Sequence, residues 1–155
     1  MYIITHAAMG AVIAELMPSH PWLGFTIGFL LHFVVDIIPH GDSGIYRGYV
    51  TGTRMKRALA YVTIDAILAL GFVLLIYNAN LYQNRNAMTL CILGSVLPDL
   101  AVAVYEVTRT RALKGLHQVH FFFHNLVTNR WRDIGFASGF AFQIVFLAAV
   151  VSKLS

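Results

Sequence analysis

Residues 32–40 read His-Phe-Val-Val-Asp-Ile-Ile-Pro-His and close an apolar run that begins at Trp22. On a helix, His32 and Asp36 lie on one face, about 6 Å apart along the axis. An imidazole and a carboxylate placed this way can bind one metal ion together. Because polar side chains are costly inside a membrane, the pair indicates either a metal site or a hydrogen-bonded pair that holds two helices together.

The composition is typical of a membrane protein. Of the 155 residues, 58% are hydrophobic and 12% are charged, and the mean hydropathy is +0.70. A soluble domain carries roughly 25% charged residues. The length predicts a single integral membrane domain over residues 1–155. A phosphate-binding glycine loop and a serine nucleophile elbow are both absent from the sequence, which disfavours the enzyme classes that use them.

The apolar runs predict an all-α, polytopic membrane bundle with about five spans and one short histidine-bearing helix. Pro18 and Pro39 predict the ends of the first two runs. Residues 39–54 are expected to form a mobile, glycine-rich polar loop that leaves His40 at the mouth of the metal-binding face. The predicted helices cover residues 3–17, 22–38, 58–77, 87–105, 115–127 and 134–151.

The Lys and Arg residues predict the orientation of these spans. Nine of them fall in or beside two connections, one after the second span and one before the last, and only Arg85 and Lys153 lie on the opposite side. Because basic residues favour the cytoplasmic side, we expect both connections in the cytoplasm. The nine are Arg47, Arg54, Lys56, Arg57, Arg109, Arg111, Lys114, Arg130 and Arg132.

Three acids, Asp36, Asp65 and Asp99, are predicted to lie within spans that contain no Lys or Arg. Such an acid is expected to stay protonated unless it is paired, and a cation shared among the three removes that cost. A helix-packing role for Asp65 is an alternative. For Asp99, the alternative is a helix kink at Pro98, in which the acid would hydrogen-bond the backbone group that the proline leaves unpaired.

Histidines supply the other half of the predicted site. Six of the seven lie on the same side as the acids, and those at 117, 120 and 124 form one helical stripe, which could instead bind anionic headgroups at the membrane surface. Nitrogen and carboxylate ligands without thiolate favour zinc first, with manganese or iron as alternatives, as one ion or two. The predicted ligands are His6, His32, Asp36, Asp99, His120 and His124, with His40 and His117 in outer positions.

Several of these motifs resemble a known family. Thr-His-Ala-Ala at residues 5–8, Gly-Ser-Val-Leu-Pro-Asp at 94–99 and the two histidines of residues 120–124 are similar to motifs of the YdjM-like family. Its members are described as LexA-regulated, inner-membrane-associated metal-dependent hydrolases. The spacing of His32 and Asp36 also resembles a motif of that family, and a helical zinc-binding motif of the zinc-dependent phospholipases C.

The resemblance implies a multi-pass protein of a bacterial-type inner (plasma) membrane, with hydrolase activity and a metal site towards the cytoplasmic side. The chain differs from the family at Ala101, where a second acid is usual. It also differs at residues 120–124, where the family's Arg, Gly and Thr are missing and the two histidines are one residue closer. These differences concern the ligands of a second metal ion.

The leading functional hypothesis is a membrane-embedded, metal-dependent hydrolase that acts on a phosphoester or lipid-like substrate. A bound metal lowers the pKa of its water to ~7, and Asp65 would bridge to the metal or serve as the general base. Arg54, Arg57 and Arg109 would bind an anionic headgroup. The expected partners are membrane lipids and an anionic small molecule or lipid, with no nucleic acid.

Two other functions use the same residues. One is a non-enzymatic metal-binding or ion-transporting membrane protein, and the other is a structural membrane protein with a polar core. A transport path needs polar groups through the whole membrane thickness. The outer half of this chain offers little beyond Glu15 and His20, which disfavours transport.

Overall fold

The computed structural model describes residues 1–130 and 133–153. This part of the chain forms seven α-helices without a strand, which confirms the predicted all-α class. Arg132, one of the basic residues used to predict orientation, lies outside the described residues. The helices are α1 (Ile3–Leu16), α2 (Pro21–Asp36), α3 (Ser43–Val50), α4 (Met55–Asn78), α5 (Arg85–Thr108), α6 (Arg111–His124) and α7 (Phe136–Val151).

Local sequence signals account for several helix ends. Pro21 opens α2, where its missing N–H would have no partner in the helix. The side chain of Asn84 caps α5 by accepting the N–H groups of Asn86 and Ala87 at 2.9 and 3.1 Å. Arg109 ends the same helix in the left-handed conformation, with φ of 54°.

Helix α5 lies at the centre of the molecule, packed against α1, α2 and α6. Small residues bring α2 and α5 close together. A Cβ atom added at Gly28 would lie 2.5 Å from Oγ of Ser95, and one at Gly94 would lie 2.3 Å from the carbonyl oxygen of Phe25. Glycine therefore allows the backbones of these two helices to approach each other directly.

The apolar core fills the space between α1, α4 and α5, and large apolar side chains also cover the outside. On α4, Ile64, Ile67 and Leu75 are 59–62% exposed. Among the described residues, α4 and α5 are the two helices that are long and apolar enough to cross a membrane. The buried core residues are Ala7, Met9, Ala11, Ile13, Ala14, Ile76, Ala87, Met88, Cys91 and Ile92.

The other three predicted spans, α1, α2 and α7, are apolar but shorter, with 14, 16 and 16 residues. Sixteen helical residues rise roughly 24 Å, less than the ~30 Å hydrocarbon core of a bilayer. Helix α7 is attached to α1 by a buried polar contact, in which the hydroxyl of Thr5 donates to Oε1 of Gln143 at 3.0 Å.

The expected loop over residues 39–54 is wrong in its middle part, because it contains α3. The glycines of this stretch suggested irregular structure, but Ile45, Tyr46 and Tyr49 lie on one side of a short helix. Tyr46 stacks on Phe121 of α6, with ring centroids 4.4 Å apart. A tertiary contact of this kind stabilises a helix that local propensity alone would not predict.

Candidate metal centre

A first group of ligand atoms comes from three helices and lies in the interior. Helix α2 provides His32 and Asp36, α5 provides Asp99 and α6 provides His120. One ligand atom from each residue lies within 4.8 Å of all the others. The side chains of His32, Asp36 and His120 are 0%, 1% and 5% exposed, and Asp99 keeps 16% exposed. These four residues could hold a metal ion.

A backbone hydrogen bond orients the imidazole of His32. Its Nδ1–H donates to the carbonyl oxygen of Ser95 at 2.8 Å, because a carbonyl oxygen can only accept. Nε2 then carries the lone pair and faces the two carboxylates. This atom also lies 3.3 Å from Nδ1 of His120. A hydrogen bond between these two nitrogens uses one nitrogen of each ring. In the neutral rings, no N–H group is then left to donate to the carboxylates.

The distances between the imidazoles and the carboxylates match the edges of a metal site. Nε2 of His32 is 3.5 Å from Oδ2 of Asp36 and 3.7 Å from Oδ1 of Asp99. Nε2 of His120 is 3.5 and 3.8 Å from the same two oxygens. Four tetrahedral ligands ~2.1 Å from zinc lie roughly 3.4 Å from one another. Oδ2 of Asp36 is buried without a hydrogen-bond partner in the described part of the chain.

Electrostatics keep His120 in the metal-binding form. Burial lowers the pKa of His120 to about 3, against a partial opposing effect from Asp36. The ring is therefore neutral at pH 7 and has a lone pair to offer a metal ion.

His6 lies beside the first group and contacts the other oxygen of Asp36. Its Nε2 is 3.1 Å from Oδ1 of Asp36 and 4.0 Å from Oδ2 of Asp99. The ring stacks on His32, with centroids 3.9 Å apart. The amino group of Met1 contacts the same oxygen of Asp36. The predicted ligand His6 is thus brought to the centre, where it contacts Oδ1 of Asp36 while His32 contacts Oδ2.

The structure separates His124 from His120 and places it in a second group with His40 and Asp42. Nε2 of His40 and Nε2 of His124 lie 3.1 and 3.5 Å from Oδ2 of Asp42. His120 and His124 thus fall in different groups of ligand atoms, and their predicted role as ligands of one or two ions stays a prediction. One turn of α6 carries the second ring away from α5 and towards the segment that follows α2.

In the second group, the carboxylate of Asp42 and the imidazole of His124 stabilise each other's charged forms. Burial disfavours the ionised form of Asp42, but the neighbouring imidazoles of His124 and His40 outweigh it and hold the pKa of Asp42 well below its usual range. Burial also disfavours protonated His124, but Asp42 outweighs this effect and raises the pKa of His124. Sequence reasoning placed His40 in an outer position and left Asp42 out of the site. The sequence signal that could have identified the second group is a histidine at 40 and an aspartate at 42, directly after the end of a helix.

Asp65 lies outside both groups. Its carboxylate accepts the backbone N–H groups of Ile3 and Ile4 at 2.7 and 3.3 Å, at the first turn of α1. Those N–H groups have no partner inside the helix, so Asp65 acts as a distant cap. The catalytic role that we expect for Asp65 stays a prediction.

The remaining predicted residues fall into two places. His117 and Arg109 both contact Glu106, at 2.8 and 2.6 Å, and this cluster is outside both metal-ligand groups. Arg54 and Arg57 line a cavity of about 610 Å³. That cavity is also lined by Arg47, Tyr61, Gly41 and Phe136.

Comparison with known proteins gives no relative for this chain. No protein-family model matches it, and neither a curated protein nor a solved structure shows significant similarity. The class of protein therefore follows from geometry: within the described residues, it is an all-α protein with two largely buried His/Asp groups that could hold metal ions and two helices that could cross a membrane.

Proposed function

We propose that the protein is a membrane-embedded, metal-dependent hydrolase that acts on a phosphoester or lipid-like substrate at the cytoplasmic interface. The metal, with zinc as first choice, would be held by the four residues of the first group. The observation that carries the proposal is the burial of two imidazoles and two carboxylates at distances of 3.5–3.8 Å. The amino group of Met1 contacts Oδ1 of Asp36, but Oδ2 of Asp36, which faces the two imidazoles, has no hydrogen-bond partner among the described residues.

The residues of the first group fit a metal ion for three reasons. The orienting bond from His32 to Ser95 is typical of metal-binding histidines. Neutral His120 offers a second nitrogen. Asp36 and Asp99 each keep a buried oxygen without a hydrogen-bond partner among the described residues, and such oxygens are costly to bury unless a cation is present. When bound, zinc would lower the pKa of a water molecule to ~7 and polarise a phosphoryl oxygen.

The surroundings support an anionic, lipid-like substrate. Arg47, Arg54 and Arg57 line the cavity of about 610 Å³ beside Gly41, and guanidinium groups bind phosphate oxygens in pairs. The exposed apolar side chains of α4 support a lipid environment. We propose α1, α2 and α7 as further spans of the same bundle, with the basic connections in the cytoplasm. The resemblance to the YdjM-like hydrolases supports the reaction class.

Non-enzymatic metal binding is the second candidate, and the low exposure of the first group favours it. Only Asp99, at 16%, leaves an appreciable part of its side chain accessible. Four protein ligands around one ion are typical of structural sites, whereas catalytic sites keep a position open.

Metal analysis of the full chain in detergent, purified with a tag that contains no histidine, tests the proposal. Replacing both His32 and Asp36 by Ala should remove one equivalent of zinc. The exposed-residue variant His20→Gln should retain the metal content of the unmodified chain. If the double variant has the same metal content as the unmodified chain, His32 and Asp36 do not bind the metal and form only a packing contact.

Turnover separates the two candidate functions. The chain loaded with zinc or manganese should cleave a phosphoester presented in micelles, and the double variant should not. A fully metallated chain that cleaves no member of a panel of phospholipids and other phosphoesters would favour non-enzymatic metal binding.

A further inference from the structure

The second group of ligand atoms stands apart from the site proposed above. It is formed by His40 and Asp42, on either side of Gly41 after α2, and by His124 at the end of α6. Nδ1–H of His40 donates to the carbonyl oxygen of Ile38 at 2.8 Å. In the neutral ring, Nε2 of His40 therefore carries a lone pair. That atom lies 3.1 Å from a carboxylate oxygen of Asp42, so two acceptors face each other.

Burial leaves two imidazole nitrogens of this group without a partner. His40 is 2% exposed and His124 is 8% exposed. Nε2 of His40 and Nδ1 of His124 are both buried with no hydrogen-bond partner in the described ranges. The distances of 3.1 and 3.5 Å to Asp42 again resemble the edges of a metal coordination shell, for which roughly 3.4 Å is expected around zinc.

The second group borders a cavity that the first group does not line. His124 forms part of the wall of a cavity of about 440 Å³, together with Tyr46, Arg47, Thr51 and Asn125. These side chains include a guanidinium, two hydroxyls and an amide that can donate hydrogen bonds to an anion. The wall also includes the carboxylate of Asp133, which accepts the backbone N–H groups of Gly41 and Ile134. Three protein ligands also leave a coordination position open, as in catalytic zinc sites.

We propose that His40, Asp42 and His124 bind a second divalent transition-metal ion, and that this ion and Arg47 together receive an anionic phosphate group in the adjoining cavity. The first ion then keeps the role proposed above, and the second ion binds the anionic group of the substrate. The proposal of a metal site is argued from the geometry of these three residues alone. Only the statement that the bound anion is part of the substrate rests on the proposed function.

Metal stoichiometry tests the site itself. The full chain in detergent should bind two equivalents of zinc, and the His40→Gln/His124→Gln double variant should bind one. His20→Gln should keep two. The second site would be overturned if the unmodified chain binds a single equivalent of zinc and only the His32/Asp36 double variant loses it. The proposed function would still stand. A chain that binds no metal at all would overturn both.

A cobalt titration of the unmodified chain also tests whether there are two metal sites, and it needs no variant that could fail to fold. Two sites with different ligand sets should give two distinct changes in the visible absorption of Co²⁺. A single change that saturates at one equivalent would overturn the second site.

Binding of inorganic phosphate tests the role of the cavity. The zinc-loaded chain should bind phosphate, measured by calorimetry, at least tenfold more tightly than the His40→Gln/His124→Gln variant does, and Arg47→Gln should also bind it more weakly. Arg85→Gln removes an arginine that does not line the cavity and should leave phosphate affinity unchanged. Equal phosphate affinity in the unmodified chain and the His40/His124 variant would overturn the assignment of this ion to the substrate.

Discussion

Backbone carbonyl groups determine which nitrogen each of two buried histidines offers to its surroundings. His32 donates to Ser95 and His40 donates to Ile38, both at 2.8 Å. In each ring the donor is Nδ1, so Nε2 is left as an acceptor that faces carboxylate oxygens. Metal-binding histidines commonly show this pattern, because the outer hydrogen bond fixes the tautomer and the ring orientation. The two groups thus share one local design.

Asp65 allows a prediction that separates a structural role from a catalytic one. Because its carboxylate caps α1 through Ile3 and Ile4, Asp65→Ala should lower the free energy of unfolding by about 1–2 kcal/mol, as for other helix caps. Asp65→Asn should cost less, since the amide oxygen can still accept one N–H. Thermal unfolding in detergent measures both effects.

A matched control lies on the same helix. Thr63 is exposed on α4, so Thr63→Ala should leave the Tm close to that of the unmodified chain. A Tm for Asp65→Ala equal to that of Thr63→Ala, combined with loss of phosphoester turnover, would contradict the capping role and support Asp65 as the general base.

The first group could be predicted from the sequence because its signals are local or chemical. The interval between His32 and Asp36 places them on one helical face. Asp99 followed from the cost of burying acids without basic partners, and His120 followed from the helical stripe of histidines at 117, 120 and 124. By contrast, the sequence contains no information on how far α6 is rotated relative to α2. Tertiary contacts set that rotation, among them the packing of Tyr46 on Phe121 and of Phe33 on Phe123.

At the scale of whole elements, the close approach of α2 and α5 should be essential for the first group. A Cβ atom at Gly94 would meet the backbone carbonyl of Phe25 at 2.3 Å, and backbone atoms cannot move aside cheaply. Gly94→Ala should therefore cost about 1–3 kcal/mol of stability, as overpacked cores do. It should also weaken metal binding, because α2 and α5 carry three of the ligands.

Gly71 on α4 provides the control for this element, because a Cβ atom there meets no atom within 4 Å. Gly71→Ala should be neutral or slightly stabilising, since alanine favours helix over glycine. Similar Tm values and zinc affinities for the Gly94 and Gly71 variants would show that the α2–α5 contact is more tolerant than its geometry indicates.

The whole molecule presents apolar side chains on its outside and polar groups near its centre. This distribution is suited to lipid around α4 and α5, the two helices long enough to cross a membrane. The turn between them, residues 79–84, would then lie on the side opposite to the basic connections. The chain's charge asymmetry predicts that this turn faces away from the cytoplasm.

Cysteine labelling in intact cells measures this orientation. In a Cys91→Ala background, which removes the buried native thiol, Ala79→Cys should react with a membrane-impermeant maleimide. Ala112→Cys, on the basic side, should react only after the cells are opened. Both positions are exposed. Protection of residue 79 in intact cells, with labelling of residue 112, would invert the proposed topology.

Helix α6 carries His120 to the first group and His124 to the second, one turn apart. A short rigid helix cannot shift one of these rings without shifting the other. An ion bound at one group would limit the rotation of α6 and so hold the histidine of the other group in place for its own ion. This coupling between the two metal affinities is reciprocal by thermodynamic necessity. Loading should therefore be cooperative. At half-saturating zinc, native mass spectrometry should find mainly empty and doubly loaded chains, with few singly loaded ones.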